Sequence, residues 1–436
     1  MTDLIVRVKL WGELVGSLVW DESLNCAAFE YDSNFKKKSW PISPLVMKIP
    51  SQGSQVFQFP QNKGNCFEGL PGLIADSLPD KFGTQIINEY FAAKGLSTDN
   101  ITPLDRLCYV GTRAMGALEF EPARDLDILN DSTLLQINEL TRLAEDIFNK
   151  RAEFKANLKE QSKALNDILR IGTSAGGAKP KAIIAFNENT QEIRSGQAKA
   201  PDGFSYWLLK FDGVSYSEHD SITDIPMGIG NVEFAYHKMA LEAGLQMNEC
   251  KLLEDGDRHH FMTKRFDRKN NGEKIHMQTL AALKHLDRDS RHSYEELFEV
   301  ARKLGLGDGD AREIFRRMTF NVLALNNDDH TKNFSFLMDQ DGIWKLAPAY
   351  DLCYANNPNS RWINKHQMSI NQKQADISTN DLKAIAQTQG IRGFEEDIQR
   401  IQSAISRWPE IAKKCGVRKN HIAEIQKAMD LQRDLG

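Results

Sequence analysis

The chain lacks any pair of cysteines at C-x-x-C spacing: its six, at positions 26, 66, 108, 250, 353 and 415, are scattered over 436 residues. Neither a zinc site nor a disulfide scaffold is expected from that pattern. No run of about 20 apolar residues appears, and MTDLIVRVKLWG has no basic segment followed by a long apolar one, so the expectation is a cytoplasmic chain without a membrane span. Internal repeats and low-complexity segments are also missing. Charge of one sign is scarce: 55 basic against 60 acidic residues leaves a formal −5, no electrostatic case for a dedicated nucleic-acid binder, although such an average can hide a basic face on one lobe. With 41% hydrophobic residues the chain can bury a large core in two or three domains.

The stretch from Phe320 to Leu352 is where chemistry concentrates. Asp328 and Asn333 stand at the D-x-x-x-x-N spacing of a kinase catalytic loop, in which the Asp accepts the proton of the acceptor hydroxyl and the Asn holds magnesium. His330 and Lys332 lie between them as further catalytic candidates. Phe315, Met318, Val322 and Leu325 recur at three- and four-residue steps, one apolar face of a helix ending just before this loop. After it, Phe334–Met338 and Ile343–Leu346 read as a hairpin around Asp339–Gly342. That return delivers Asp351, a second oxygen donor for a hard cation, which needs only one or two carboxylates beside phosphate oxygens. The competing reading of the Asp-rich stretch is a solvated turn after a helix.

Upstream, Val6, Val8 and Leu10 alternate before a turn at Gly12-Glu13, and Leu14, Leu18 and Trp20 follow, a small β-unit. Pro79 starts a helix with Phe82, Ile86, Ile87, Tyr90 and Phe91 on one side and Gly95 to end it. Residues 131–170 read as helical, with a break near Arg151–Glu153. Composition then changes sharply at Gly172–Pro180, and an apolar run, Ala182–Phe186, comes next. Small residues let backbone amides approach an anion, so Ser174, Ala175, Gly176, Gly177 and Ala178, with Lys179 and Lys181, form a candidate phosphate loop; a flexible turn is the alternative. A Walker A loop is excluded, because Ala178 stands where its lysine is required. Lys210 ends the strand-like FSYWLLKF and is either an edge-strand charge or a phosphate-binding lysine. Glu233, in the helix-like VEFAYHKMALEAGL, sits where a kinase places the glutamate that pairs with such a lysine, which favours the second. Lys264, Arg265, Phe266 and Asp267 follow a strand and are candidates for an adenine-binding hinge, with a buried core Phe as the other reading. Residues 294–325 and 380–436 are helical by pattern, and Trp344, Trp362 and Trp408 read as core.

The ordered set of glycine loop, Lys210, Glu233, KRFDR, NDDHTKNFS and LAPAYDL resembles the HipA family of bacterial serine/threonine kinases. VRVKLWGELVGSLVW, GLPGLIADSLPDKFG and LCYVGTRAMGALEFEPA look like that family's first domain. The resemblance implies an α+β, two-lobed protein-kinase-like fold: a β-rich N-terminal subdomain over 1–130, a kinase N-lobe over 131–268 and a helical C-lobe over 269–436. It implies ATP and Mg²⁺ as cofactors, with Asp328 as base, Asn333 and Asp351 on the metal and Lys210 on the phosphates. It implies a toxin that phosphorylates a protein such as an aminoacyl-tRNA synthetase, restrained by a small helix-turn-helix antitoxin of HipB type through which it meets DNA, with no membrane partner. Ser174 would correspond to the autophosphorylated loop serine. The loop here is SAGGAKPKA rather than the AGAQEK type, and Lys264 stands where an acidic residue often precedes the hinge. The alternatives are a kinase of a small molecule or lipid head group, suggested by the D-x-H order of Asp328 and His330, and a non-catalytic partner of a DNA-bound repressor. The N-terminal unit and the full residue set favour a protein kinase.

Overall fold

The structure, a computed structural model, describes residues 4–38, 40–64, 66–79, 81–93, 101–123, 134–149, 179–214, 216–218, 221–223 and 226–434. Gly95, the 150–170 part of the expected helical stretch with its break at Arg151–Glu153, and Ser174–Ala178 lie outside the described residues.

The alternating N-terminal pattern forms strand Ile5–Leu10, with Val6, Val8 and Leu10 fully buried. Such burial contributes about 1.5–3 kcal/mol for each large aliphatic side chain. The turn is at Trp11-Gly12, one residue earlier than expected. Leu10 pairs with Glu13, and both turn residues have positive φ (50° and 84°), as a two-residue hairpin turn that follows the strand twist requires. Strand Glu13–Asp21 returns, and a five-stranded antiparallel sheet forms in the order Val56–Gln58, Cys26–Tyr31, Glu13–Asp21, Ile5–Leu10, Leu118–Glu121.

A second antiparallel sheet has the order Cys250–Asp255, Arg258–Lys264, Ser205–Lys210, Lys181–Phe186, Ile193–Ser195, Leu134–Leu135. Every residue of Lys181–Phe186 is buried, which explains its unbroken apolar run. On one face Ala182, Ile184, Trp207 and Leu209 cluster with Ile86, Ile87 and Phe91 of helix Lys81–Ala93 and with Leu140 and Ala144 of helix Ile137–Asn149. The sheet thus borrows a helix from the first 130 residues, so packing does not divide at that boundary.

The rest of the chain is mainly helical: Tyr294–Lys303, Asp308–Leu323, Thr379–Gln389, Phe394–Ser406, Trp408–Lys414 and Lys419–Asp434. A three-stranded sheet of His276–Thr279, Ser335–Met338 and Trp344–Leu346 carries the expected hairpin. The largest core runs without interruption from Val6 and Phe120 into Leu280, Phe315 and Ile398. Side-chain donors stitch the seam: Trp40 Nε1 to Gln340 O at 2.6 Å, Trp344 Nε1 to Pro41 O at 3.1 Å and Gln278 Nε2 to Ile42 O at 3.0 Å. Trp408 and Trp344 are buried as expected, whereas Trp362 is only half-buried.

Candidate phosphotransfer site

One half of the site is built on regular elements. Lys210 ends its strand, opposite Lys181 on one neighbour and Phe261 on the other. Asp212, two residues on, accepts the N–H groups of Gly228 (2.9 Å) and Gly230 (3.2 Å) at the start of helix Ile229–Glu242, where a carboxylate complements the helix dipole. A Cβ on Gly230 would come 2.0 Å from His259 O, so only glycine lets the helix seat against strand Arg258–Lys264. This close seating puts Glu233 one turn into the helix, 5% exposed, facing Lys210. Lys210 Nζ lies 2.5 Å from Glu233 Oε1 and 2.5 Å from Asp351 Oδ1. Burial works against the ammonium, but Asp351 and Glu233 more than offset it and hold Lys210 firmly charged. Burial likewise opposes the Asp351 carboxylate, and Lys210, Lys181 and Lys179 overcome it, drawing its pKa below the usual carboxylate range.

The other half is made of loops. Helix Asp308–Leu323 runs out at Ala324, Leu325 takes φ 56°, and the chain crosses to pair Asn326 with Ala355. Asp328 follows, half of its side chain open to solvent. The surrounding protein pushes its pKa up; His330 opposes this, Asp351 adds to it, and Lys179 and Arg288 oppose it. Asn333 Nδ2 donates to Asp328 O at 2.6 Å, closing the loop over a single turn Thr331–Asn333. His330 Nε2 stands 3.9 Å from Asp328 Oδ1. Asp351 arrives on the hairpin's return with φ 55°, a left-handed conformation uncommon for a residue with a side chain and a form of strain concentrated at functional sites.

Three of the candidates for ATP and metal handling therefore meet in one cluster, Lys210 with Glu233 and Asp351, and Asp328 lies within electrostatic reach of Asp351. The donor set suits a hard cation: the carboxylate of Asp351, and the amide oxygen of Asn333, whose nitrogen is already spent on Asp328 O. Lys179 is exposed and Lys181 is 6% exposed, both close enough to Asp351 to favour its charged form. The ring of Phe266 stands 5.5 Å from that of Tyr350, and Lys264 Nζ reaches Glu249 at 3.9 Å. Arg265 and Asp267 spend their side chains elsewhere. Arg265 holds both Asp267 oxygens (2.8 and 2.7 Å), and Asp267 also accepts Gly116 N–H at 2.7 Å, so these two join the hinge to the N-terminal sheet's flank. Their backbone is engaged as well: Arg265 N–H donates to Tyr206 O (2.9 Å), and Asp267 O accepts Ile275 N–H (3.0 Å) and Arg268 Nη1 (2.9 Å). Lys332 lies within electrostatic range of Asp76, and its carbonyl takes the Tyr350 hydroxyl at 2.6 Å.

Two family descriptions match the chain: HipA N-terminal domain over residues 6–121 and HipA-like C-terminal domain over 173–432. The chain belongs to the HipA family. A HipA serine/threonine-protein kinase toxin of Shewanella oneidensis is 21% identical over 378 residues, 80% of this chain and 75% of that protein. A Haemophilus influenzae protein named putative kinase is 30% identical over 134 residues; the match covers 27% of this chain and 39% of that relative's length. Among solved structures, HipA of Shewanella oneidensis MR-1, in complex with HipB and operator DNA, superposes with a TM-score of 0.65 over 98% of this chain and 95% of that one, at 17% identity. That likeness shows the HipA fold, a β-rich N-terminal region followed by a helical C-terminal part.

Sequence reasoning passed over the residues that hold the HipA loop in shape. Asp329 is fully buried and points away from Asp328, accepting Tyr294 Oη (2.8 Å), His366 Nδ1 (2.9 Å) and Gln367 N–H (2.8 Å). Thr331 Oγ1 donates to Leu286 O at 3.0 Å, and Leu280 N–H to Phe334 O at 2.8 Å. The short helix Leu280–Lys284 is gripped in turn from the N-terminal unit: Asp76 accepts Thr279 N–H (2.7 Å) and its hydroxyl (2.9 Å), and His285 Nε2 accepts Gly72 N–H (2.9 Å). The doubled acid in NNDDH was the visible signal, but spacing does not say which of two adjacent aspartates turns inward.

Proposed function

We propose that this chain is an ATP- and magnesium-dependent serine/threonine protein kinase and a growth-arresting toxin. In this reading it phosphorylates a translation component such as an aminoacyl-tRNA synthetase, is held by a HipB-type antitoxin, and is regulated by phosphorylation of Ser174. The observation that carries the reading is Lys210 bridging Glu233 and Asp351 beside an Asn333-braced Asp328. In the proposed step the acceptor hydroxyl oxygen forms a bond to the γ-phosphorus, the bond to the ADP oxygen breaks, and the hydroxyl proton passes to Asp328. Asp328 is suited to take that proton, because it is half-exposed and so reachable, and its raised pKa makes it a better acceptor than an ordinary carboxylate. Magnesium, when bound, would supply positive charge to the phosphate oxygens, held by Asn333 and Asp351. Lys210 would face the phosphates, with Glu233 fixing its direction. The antitoxin partner is supported by the HipB complex of the Shewanella relative, the synthetase substrate is what the family resemblance implies, and the N-terminal unit is the surface a large partner would use.

The test compares wild type with Asp328→Asn. Transfer of labelled phosphate to protein should be lost while calorimetric titration with Mg-ATP is nearly unchanged, and intact mass should show a loop phosphate only in the wild type. Wild-type transfer rates in Asp328→Asn would remove Asp328 as base. A phosphate gain confined to lipids or metabolites would replace the protein acceptor with a small one.

A further inference from the structure

We propose that the acceptor is a polypeptide segment rich in carboxylates, laid over a rim formed by Arg361, Trp362 and Lys365. This rests on the kinase reading and adds the surface beside Asp328 on which an acceptor lies. The segment Asn356–Gln374 follows Asp351 and folds back onto the loop carrying Asp328. Asn327, just before the base, donates through Nδ2 to Ile363 O (3.2 Å) and Asn356 Oδ1 (3.4 Å), and its N–H reaches Ala355 O at 3.0 Å. Asp329, just after it, takes His366 Nδ1 and Gln367 N–H. Both chain neighbours of the base therefore hold this one segment. Ser360 Oγ accepts the N–H groups of Trp362 (3.2 Å) and Ile363 (3.4 Å), and Gln374 Nε2 spans the carbonyls of His366 (3.0 Å) and Gln367 (2.9 Å).

What the segment presents outward is positive. Arg361 and Lys365 are exposed, Trp362 is half-buried, and the Arg361 guanidinium lies 5.1 Å from the Trp362 ring centre. Neither cation has a carboxylate partner among the described residues. Arg288, already paired with Asp289 at 3.2 Å, is the nearer cation within electrostatic reach of Asp328 and His330. Two cations without carboxylate partners, on a segment anchored to both chain neighbours of Asp328, select acidic side chains in the sequence around the acceptor hydroxyl. A nucleic-acid backbone is the poorer match, because such sites commonly neutralise on the order of six to ten phosphates.

Two fluorescein-labelled serine peptides, one flanked by glutamates and one by lysines, test this by anisotropy and by phosphate transfer. The wild type should bind the glutamate peptide on the order of tenfold more tightly, the size of two exposed ion pairs. Arg361→Glu with Lys365→Glu should reverse the preference while Mg-ATP affinity is unchanged, and both sites are exposed, so folding is retained. His366→Ala should raise the peptide KM but not the Mg-ATP KM, and His366→Gln, which keeps a donor, should restore it. Equal binding of the two peptides, a preference that survives in the double variant, an unchanged peptide KM in His366→Ala, or tighter binding of a thymidine oligonucleotide to the same residues would each overturn the proposal. Charge-selective peptide binding without transfer to either peptide would support the rim and reject the kinase reading instead.

Discussion

The two halves of the site are built by opposite means. Lys210 and Glu233 ride on a strand and a helix whose packing fixes them, and they are nearly closed to solvent (side chains 13% and 7% exposed). Asp328, Asn333 and Asp351 sit outside the strands and long helices: Asn333 is tied back locally to Asp328 O, and the residues on either side of Asp328 are held by partners distant in sequence, Asn327 by Ala355 and Asp329 by Gln367. Regular elements give a rigid, buried charge pair, whereas loops give a half-open carboxylate that an acceptor can reach. A kinase site needs one of each: a fixed seat for the phosphates and an accessible base.

The largest effects should come from the loop half. Asp328→Asn should lower transfer by about 10²–10⁴-fold with Mg-ATP affinity kept, and Asp351→Asn should lose the affinity itself, so titration calorimetry beside a transfer assay separates them. Because Asp328 is raised and Asp351 depressed, the acid limb of kcat/KM against pH should lie above the ordinary carboxylate range and be set by Asp328, with Asp351 still ionised there. An acid limb at the pKa of a free carboxylate would count against Asp328.

Next in size is the joint behind the hinge. Asp267→Asn leaves Arg265 and Arg268, whose side chains are 2% and 6% exposed, without their counter-charge. The expected loss is about 3–5 kcal/mol in a denaturant titration. Titration of the seam comes third. Burial holds His276 and His285 at a pKa of about 4 against the usual 6.5, so the unfolded chain binds their protons first and stability falls as pH drops from 6.5 to 4. Each histidine should contribute a loss of about 3 kcal/mol once pH is below 4, and stability unchanged between pH 6.5 and 4 would show that they charge freely in the fold. The smallest effect is Gly72→Ala, whose Cβ would meet Ala282 O at 2.2 Å. It should cost about 1–3 kcal/mol. If the seam supports the loop half alone, this variant should slow transfer while leaving the Lys210–Glu233 half able to bind nucleotide.

Much of the site was legible because kinase chemistry constrains spacing. Lys210 on a strand, Glu233 on the next helix and Asp351 on a hairpin return are positions set by local pattern, and the fold brings them together. Local pattern was silent on what holds the loop. Asp76, Gly72, Tyr294 and His366 act across 35 or more residues of chain, in contacts that period and composition do not encode. Arg265 and Asp267 show the converse: their motif announced a nucleotide hinge, yet their side chains point to Gly116 and each other, a buried ion pair that only the packed N-terminal unit makes necessary.

The grip of Asp76 and Gly72 on Thr279 and His285 also bears on modularity. A fragment starting at residue 173 would keep every candidate phosphotransfer residue named above and still lose the partner of Thr279, the Gly72 donor to His285, and one wall of the core around Leu280 and Phe315, leaving the segment whose Leu286 carbonyl holds Thr331 without its support. The catalytic portion is not a cassette to be excised or transplanted. Recombination or gene truncation that separates the first 121 residues from the rest removes part of the scaffold of the loop that carries Asp328, so the two halves of this chain are expected to be inherited, and to fail, together.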